Sequence, residues 1–122
     1  MGRPVVHWEF WSEDPNRLSA FYGAAFGWES NDLPQLNYQL VDTQSDSGIN
    51  GGFMTPQQGE WPAKLCLYID VDDIDAYCQR VEDAGGTVIV PKQEVEGVGI
   101  LALFQDPDGR IVGMWQQGPD AG

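Results

Sequence analysis

Val5-Val6-His7-Trp8-Glu9-Phe10-Trp11, followed by Asp14-Pro15, is the stretch on which the fold turns. Its alternation puts Val6, Trp8 and Phe10 on one side and Val5, His7, Glu9 and Trp11 on the other, as a strand requires. Asp14 then offers a side-chain oxygen to the first turn of a helix, and Pro15 suits the first helical position. Leu18, Phe21, Tyr22 and Ala25 recur at helical spacing and predict one apolar stripe. Gly27 supplies the left-handed residue that ends such a helix.

The chain then repeats itself. Leu65-Cys66-Leu67-Tyr68-Ile69-Asp70-Val71 alternates as a second strand, Asp73 caps a second helix, and Ile74, Tyr77, Val81 and Ala84 form its stripe before Gly85-Gly86. One fixed offset lays His7 on Cys66, Asp14 on Asp73, Ala25 on Ala84 and Gly27 on Gly86. Each coincidence has its own physical cause, which makes a duplicated unit the economical reading. Three shorter strand-like runs follow each helix: Trp28 to Ser30, Asn37 to Val41 and Ile49 to Met54, then Thr87 to Val90, Ile100 to Gln105 and Arg110 to Gln116. Asp106-Pro107-Asp108-Gly109 is a turn between the last two.

The expectation is therefore an α+β fold of two tandem β-α-β-β-β units. Each unit has a small sheet with a helix on one face. Side by side, the two sheets would curl into a mixed or antiparallel cup lined by residues that point away from the helices. One domain is expected over residues 1–122: unit one about 4–55, a Pro- and Gly-bearing linker about 55–62, unit two about 63–117, and a loose tail at 118–122.

Composition narrows the function. The 122 residues carry six Lys and Arg against nineteen Asp and Glu, a formal net charge of −13. Arg3, Arg17, Lys64, Arg80, Lys92 and Arg110 are scattered, so no phosphate-binding stripe exists and nucleic acid is a poor partner. Such a charge attracts cationic ligands. No apolar run approaches the roughly 18 residues that would span a bilayer, and Glu9 and Glu13 interrupt any signal-peptide core, so a cytoplasmic protein is expected. Cys66 and Cys78 are too few for a disulfide framework, and without a C-x-x-C pair they do not suggest a zinc site.

His7-Trp8-Glu9-Phe10, Asp14-Pro15, Phe21-Tyr22-Gly23 and Phe26-Gly27-Trp28 resemble the opening of the vicinal oxygen chelate superfamily. Val71-Asp72-Asp73-Ile74-Asp75 and Asp106-Pro107-Asp108-Gly109-Arg110 are similar to its second-half signatures. That superfamily includes glyoxalase I, extradiol dioxygenases, and fosfomycin- and bleomycin-resistance proteins. The likeness runs from about residue 5 to residue 117, but one scaffold hosting many chemistries identifies the fold far better than the reaction.

The resemblance implies four metal-ligand positions, on the first and last strands of each unit. They fall at His7, at Gly51 or Gly52, at Cys66 and at Gly113. Two are empty and one is a thiol, whereas a catalytic divalent site needs about three protein ligands. Glu9, roughly 7 Å along the strand from His7, is a substitute donor on the same face. No cofactor is expected, with a divalent metal as the alternative.

The remaining expectation is a pocket. Glycines in the middle of a sheet suit a ligand that approaches backbone closely. Trp11, Gly51, Gly52, Cys66, Tyr68, Asp70, Gly113 and Trp115 are the candidate ligand-binding residues, and His7 with Glu9 the candidate acid–base pair. Glu9 and Asp70 favour a cationic ligand, and the aromatic rings add cation–π attraction. The reading is a metal-free small-molecule binder similar to bleomycin-resistance proteins, with a glyoxalase-like lyase or isomerase using His7 and Glu9 as the alternative. The resemblance also implies a homodimer.

Overall fold

The computed structural model of the protein describes residues 2–55, 64–95 and 97–118. Beyond Thr55, the expected linker falls outside the described residues, as does the expected tail after Gly118. Two compact units emerge. One is His7–Cys66; the other comprises residues 2–6 and 67–118. The two-unit α+β plan holds, with a β-α-β-β-β order in each half: β1 (Val5–Trp11), α1 (Pro15–Phe26), β2 (Glu29–Leu33), β3 (Tyr38–Asp42) and β4 (Gly51–Met54), then β5 (Leu65–Asp70), α2 (Ile74–Asp83), β6 (Thr87–Val95), β7 (Gly99–Gln105) and β8 (Ile111–Gln117).

In the His7–Cys66 unit the strands lie in the order β2-β3-β4-β1. β2–β3 and β3–β4 are antiparallel and β1–β4 is parallel, with Glu9 opposite Gly52 and Phe10 opposite Phe53. Asp14 accepts a hydrogen bond from the Arg17 amide, and Gly27 closes α1 at a φ of 78°. Beneath the helix, Trp8, Phe10, Tyr22, Trp28 and Phe53 gather with ring centroids between 4.8 and 6.2 Å apart. Aromatic pairs at such separations each add about 0.5–1.5 kcal/mol beyond simple burial. The four-residue stripe expected on α1 is not what meets the sheet. Tyr22 enters the ring cluster, whereas Phe21 stays 58% exposed and Ala25 is exposed too. Phe21 meets the cluster only from outside, edge-on to Tyr22 with ring centroids 4.9 Å apart.

The other unit follows the order β5-β8-β7-β6, again with one parallel pair, β5–β8. Val71, Ile74, Ala102 and Met114 form its core, flanked by Tyr77, Val81 and Phe104. Here α2 turns Ile74, Tyr77 and Val81 inward and Asp73 caps the Ala76 amide, but the fourth residue of the expected stripe, Ala84, is exposed and stands past the last helical residue, Asp83. The helix-ending residue is Gly85, at a φ of 105°, and not Gly86. Gly86 is needed for a different reason: a Cβ there would stand 2.9 Å from the Gln105 carbonyl and the Val81 side chain. β6 runs five residues further than the sequence suggested. Pro91 is tolerated because β6 is last in its unit's strand order, and the register slips between Val88 and Val90 and again before Gln93. The Asp106 carboxylate accepts from the Asp108 and Arg110 amides, which shapes the predicted turn.

Candidate functional site

β1 divides its side chains as the alternation demands. Trp8 and Phe10 join the rings beneath α1, and His7, Glu9 and Trp11 take the opposite face. β4 divides likewise. A Cβ on Gly51 would run into the Trp8 indole, so Gly51 lies on the helix side and does not belong to the candidate site. Gly52 does. A Cβ there would collide with the phenol of Tyr38, which crosses from β3 and fills the space.

Tyr38 ties this face together. Its hydroxyl lies 2.6 Å from His7 Nε2 and is also hydrogen-bonded to Glu9. Glu9 in turn accepts from Trp11 Nε1–H. Glu9 and Trp11 are both only 6% exposed. Burial, then the charge and hydrogen bond of Glu9, then Cys66, push the Tyr38 phenol far above its ordinary range, so it stays protonated at every physiological pH. Burial holds the His7 imidazole below its usual value, favouring the neutral ring. The result is a run of four polar groups, His7, Tyr38, Glu9 and Trp11, set into a sheet. Such partners are what buried polar groups need.

The other unit presents a different face. Tyr68, directly opposite Gly113 in register, covers that glycine with its own ring. Leu103, fully buried, is Gly113's partner on the other side, and Trp115 is two residues along β8. Asp70 is engaged. Arg3 Nη2 meets its carboxylate at 3.0 Å and Arg3 Nε donates to its carbonyl at 3.0 Å. The charge assigned to ligand attraction is thus met by the N-terminal arginine, which lies too far away in sequence for any local pattern to reveal. Trp115 Nε1–H donates to Gln117 at 3.3 Å. His7, Glu9, Trp11, Gly52 and Cys66 therefore belong to one unit, and Tyr68, Asp70, Gly113 and Trp115 to the other.

Tyr38 is the residue that sequence reasoning missed. The run Asn37 to Val41 reads as a strand, yet nothing local says which of its side chains lands on Gly52. That depends on a register in which Leu40 faces Gly52 and Tyr38 lies two positions away, opposite Met54. The available signal was the glycine itself, since a glycine inside a strand often marks a close neighbour.

A family profile described as a glyoxalase-like domain matches residues 6–112. The chain belongs to the glyoxalase-like family of the vicinal oxygen chelate superfamily. Relatives of this glyoxalase-like domain include a candidate glyoxylase, CFP32, of Mycobacterium tuberculosis, 31% identical over 84% of this chain and 41% of that protein. The anthracycline biosynthesis protein DnrV of Streptomyces peucetius is 31% identical over 88% of this chain and 44% of its own length. The chain thus spans less than half the length of the curated relatives it matches. Among solved structures, a glyoxalase/bleomycin resistance protein/dioxygenase superfamily member from Vibrio splendidus superposes with a TM-score of 0.66 at 20% identity, covering 95% of this chain and all of that one. Methylmalonyl-CoA epimerase from Mycobacterium tuberculosis superposes with a TM-score of 0.67 at 14% identity, covering 94% and 88%. At those identities the likeness speaks for the fold alone.

Among the described residues no three of His, Cys, Asp and Glu gather closely enough to hold an ion. At Gly52 a phenol occupies the space where a ligating side chain would begin. Among the described residues no helix is long and apolar enough to cross a membrane.

Proposed function

We propose that this domain binds a small organic molecule, without a metal, on the face that carries His7, Tyr38, Glu9 and Trp11. One observation carries the reading: a carboxylate 6% exposed is held in a sheet face by an indole N–H and a phenol hydroxyl, with an imidazole at the end of the same run. Aromatic surfaces with a few convergent polar groups are the usual make-up of small-molecule sites. Glu9 and the chain's formal charge of −13 favour a cationic partner. One relative's name refers to anthracycline biosynthesis, so anthracyclines belong in a first panel of cationic aromatic compounds.

Trp11 makes the test direct, since its indole donates to Glu9. Titration of the panel by tryptophan fluorescence should show saturable quenching that Glu9→Gln weakens at least tenfold. Silence from the whole panel counts against the reading. Near-stoichiometric zinc, nickel, manganese or iron in protein purified without chelator overturns it.

The second reading, a lyase or isomerase, draws on the same run of groups. A protonated phenol joined to both an imidazole and a carboxylate can hand a proton along hydrogen bonds that already exist. Deuterium exchange from solvent into a bound carbonyl compound, lost in His7→Ala, would favour it over plain binding. The homodimer implied by the family resemblance is part of the same proposal, and sedimentation velocity checks it.

A further inference from the structure

Gln39 stands directly opposite Phe53 in the β3–β4 register, which puts it on the helix side of its sheet, with the rings and not with the His7 run. Its side chain meets the start of α1, where Nε2 donates to Asn16 Oδ1 at 2.8 Å. Only one end of the amide is matched. Gln39 is 8% exposed, and its Oε1 has no hydrogen-bond partner among the described residues. Turning both amides over would pair that oxygen and strand the nitrogen in its place, so the shortfall does not depend on which way round they stand. A buried polar atom left in this way costs stability that an apolar side chain of the same shape would not.

Gln39 and Asn16 both line a cleft of about 230 Å³ at the start of α1, whose wall also includes Asp32 and Pro34 from the β2–β3 side. No Lys or Arg lines it. Two features ask for the same chemistry: Gln39 Oε1 needs a donor, and Asp32 adds an acidic group to the same wall. We propose that this cleft is a second binding site, for the ammonium head of a small primary amine, with Gln39 Oε1 as its buried acceptor and Asp32 as its counter-charge. Oε1 is closed to solvent as it stands, so entry turns aside the exposed Asn16 side chain that shares its amide. A helix start attracts anions. Here Asp14 already caps it by accepting from the Arg17 amide, and an anion in the cleft would meet the Gln39 oxygen and Asp32. The proposal does not rest on the binding reading above, which concerns the other face of the sheet.

In 15N-labelled protein the side-chain amides of Gln39 and Asn16 can be followed directly. Titration with n-butylammonium chloride should move both saturably, together with the backbone amide of Asp32. At matched ionic strength, n-butanol and sodium butyrate, the neutral and anionic counterparts, should move none of them. Asp32→Asn, at an exposed position, should weaken the amine about tenfold. Gln39→Met removes the unmatched oxygen at similar volume, so it should abolish the response without loss of stability. No saturable response to the amine overturns the proposal, as does an equal response to butyrate or butanol, or one that survives Gln39→Met. A crystal structure grown with the amine that shows only an ordered water on Oε1 overturns it too. If Gln39→Met fails to fold, the wild-type titrations and Asp32→Asn still decide. Fluorescence titration of the His7 face tests the earlier reading separately, so either proposal can fall alone.

Discussion

In one unit the glycine opposite Glu9 is covered by a phenol arriving diagonally from β3; in the other, the glycine opposite Tyr68 is covered by Tyr68 itself. The offset that carries His7 onto Cys66 carries Glu9 onto Tyr68, so the two glycines hold matching places. Both were emptied, and a tyrosine fills both. The difference lies in where the tyrosine comes from. Because Tyr38 is borrowed from another strand, the β1 position remains available for a carboxylate, and that face becomes polar. Because Tyr68 occupies the matching position on β5, no carboxylate stands there, and that face closes with Leu103. The strand that supplies the tyrosine decides which of the two faces carries a carboxyl group.

The largest test of this contrast restores a side chain at each glycine. Overpacking a closed site typically costs about 1–3 kcal/mol. Gly113→Ala should fall at or above the upper end, because Tyr68 is only 4% exposed and is backed by the fully buried Leu103. Gly52→Ala should cost less, since Tyr38 is half-buried and has a way out, and Tyr38→Ala should relieve part of that cost. Urea unfolding of the three variants measures both effects. Equal penalties at the two glycines, with no coupling between Gly52 and Tyr38, would end the comparison.

Next come the two acids that the sequence placed together as ligand attractors. Glu9→Gln keeps the shape but replaces one carboxyl oxygen with an amide nitrogen, in a buried setting where Trp11 donates to that group. About 1–3 kcal/mol should be lost. Asp70→Asn breaks an ion pair with Arg3 whose side chains are each about a third exposed, so less than about 1 kcal/mol is expected. Chemical denaturation again decides. If Asp70→Asn proves the costlier change, the polar cluster around Glu9 is not the stronger of the two.

Much of the architecture was legible because its signals are local. Asp14, Pro15, Gly27 and Asp73 act within a few residues of themselves, and each does what its chemistry dictates. The alternation in β1 correctly separated Trp8 and Phe10 from His7, Glu9 and Trp11. The site was legible only as far as that strand. Gly51 and Gly52 could not be told apart, because a slip of one residue exchanges the faces and the sequence carries no register. Tyr38 and Arg3 were missed for the same reason, since each reaches its partner through tertiary pairing. Gly85 and Gly86 show a subtler failure: adjacent glycines serve different needs, one conformational and the other steric.

A smaller effect should come from the helix caps, where the two units are most alike. Asp14→Ala and Asp73→Ala each remove one side-chain acceptor at a helix start, worth about 1 kcal/mol. The accepted distances are both 3.2 Å, so the two losses should agree within error in thermal or urea unfolding. A clear inequality would mean that the helix ends, unlike the glycines, had diverged energetically.

The smallest effect expected is one of pH, and it belongs to one unit alone. His7 has Cys66 as its counterpart, so only the His7–Cys66 unit carries an imidazole on this face. Burial lowers the pKa of His7 in the folded protein relative to 6.5, so the unfolded chain binds the proton more readily. Stability contributed by the neutral ring is therefore complete above about pH 6.5 and declines as pH falls from there toward the folded value. Since the ring is only half-buried, the decline should be shallow. The midpoint of urea unfolding, followed from pH 8 to pH 5, should show this limb in the wild type and lose it in His7→Gln. Carboxylates dominate at still lower pH, where both proteins should lose stability in parallel. If His7→Gln keeps the same slope between pH 6.5 and 5, burial of the imidazole as a neutral ring is not what sets this limb.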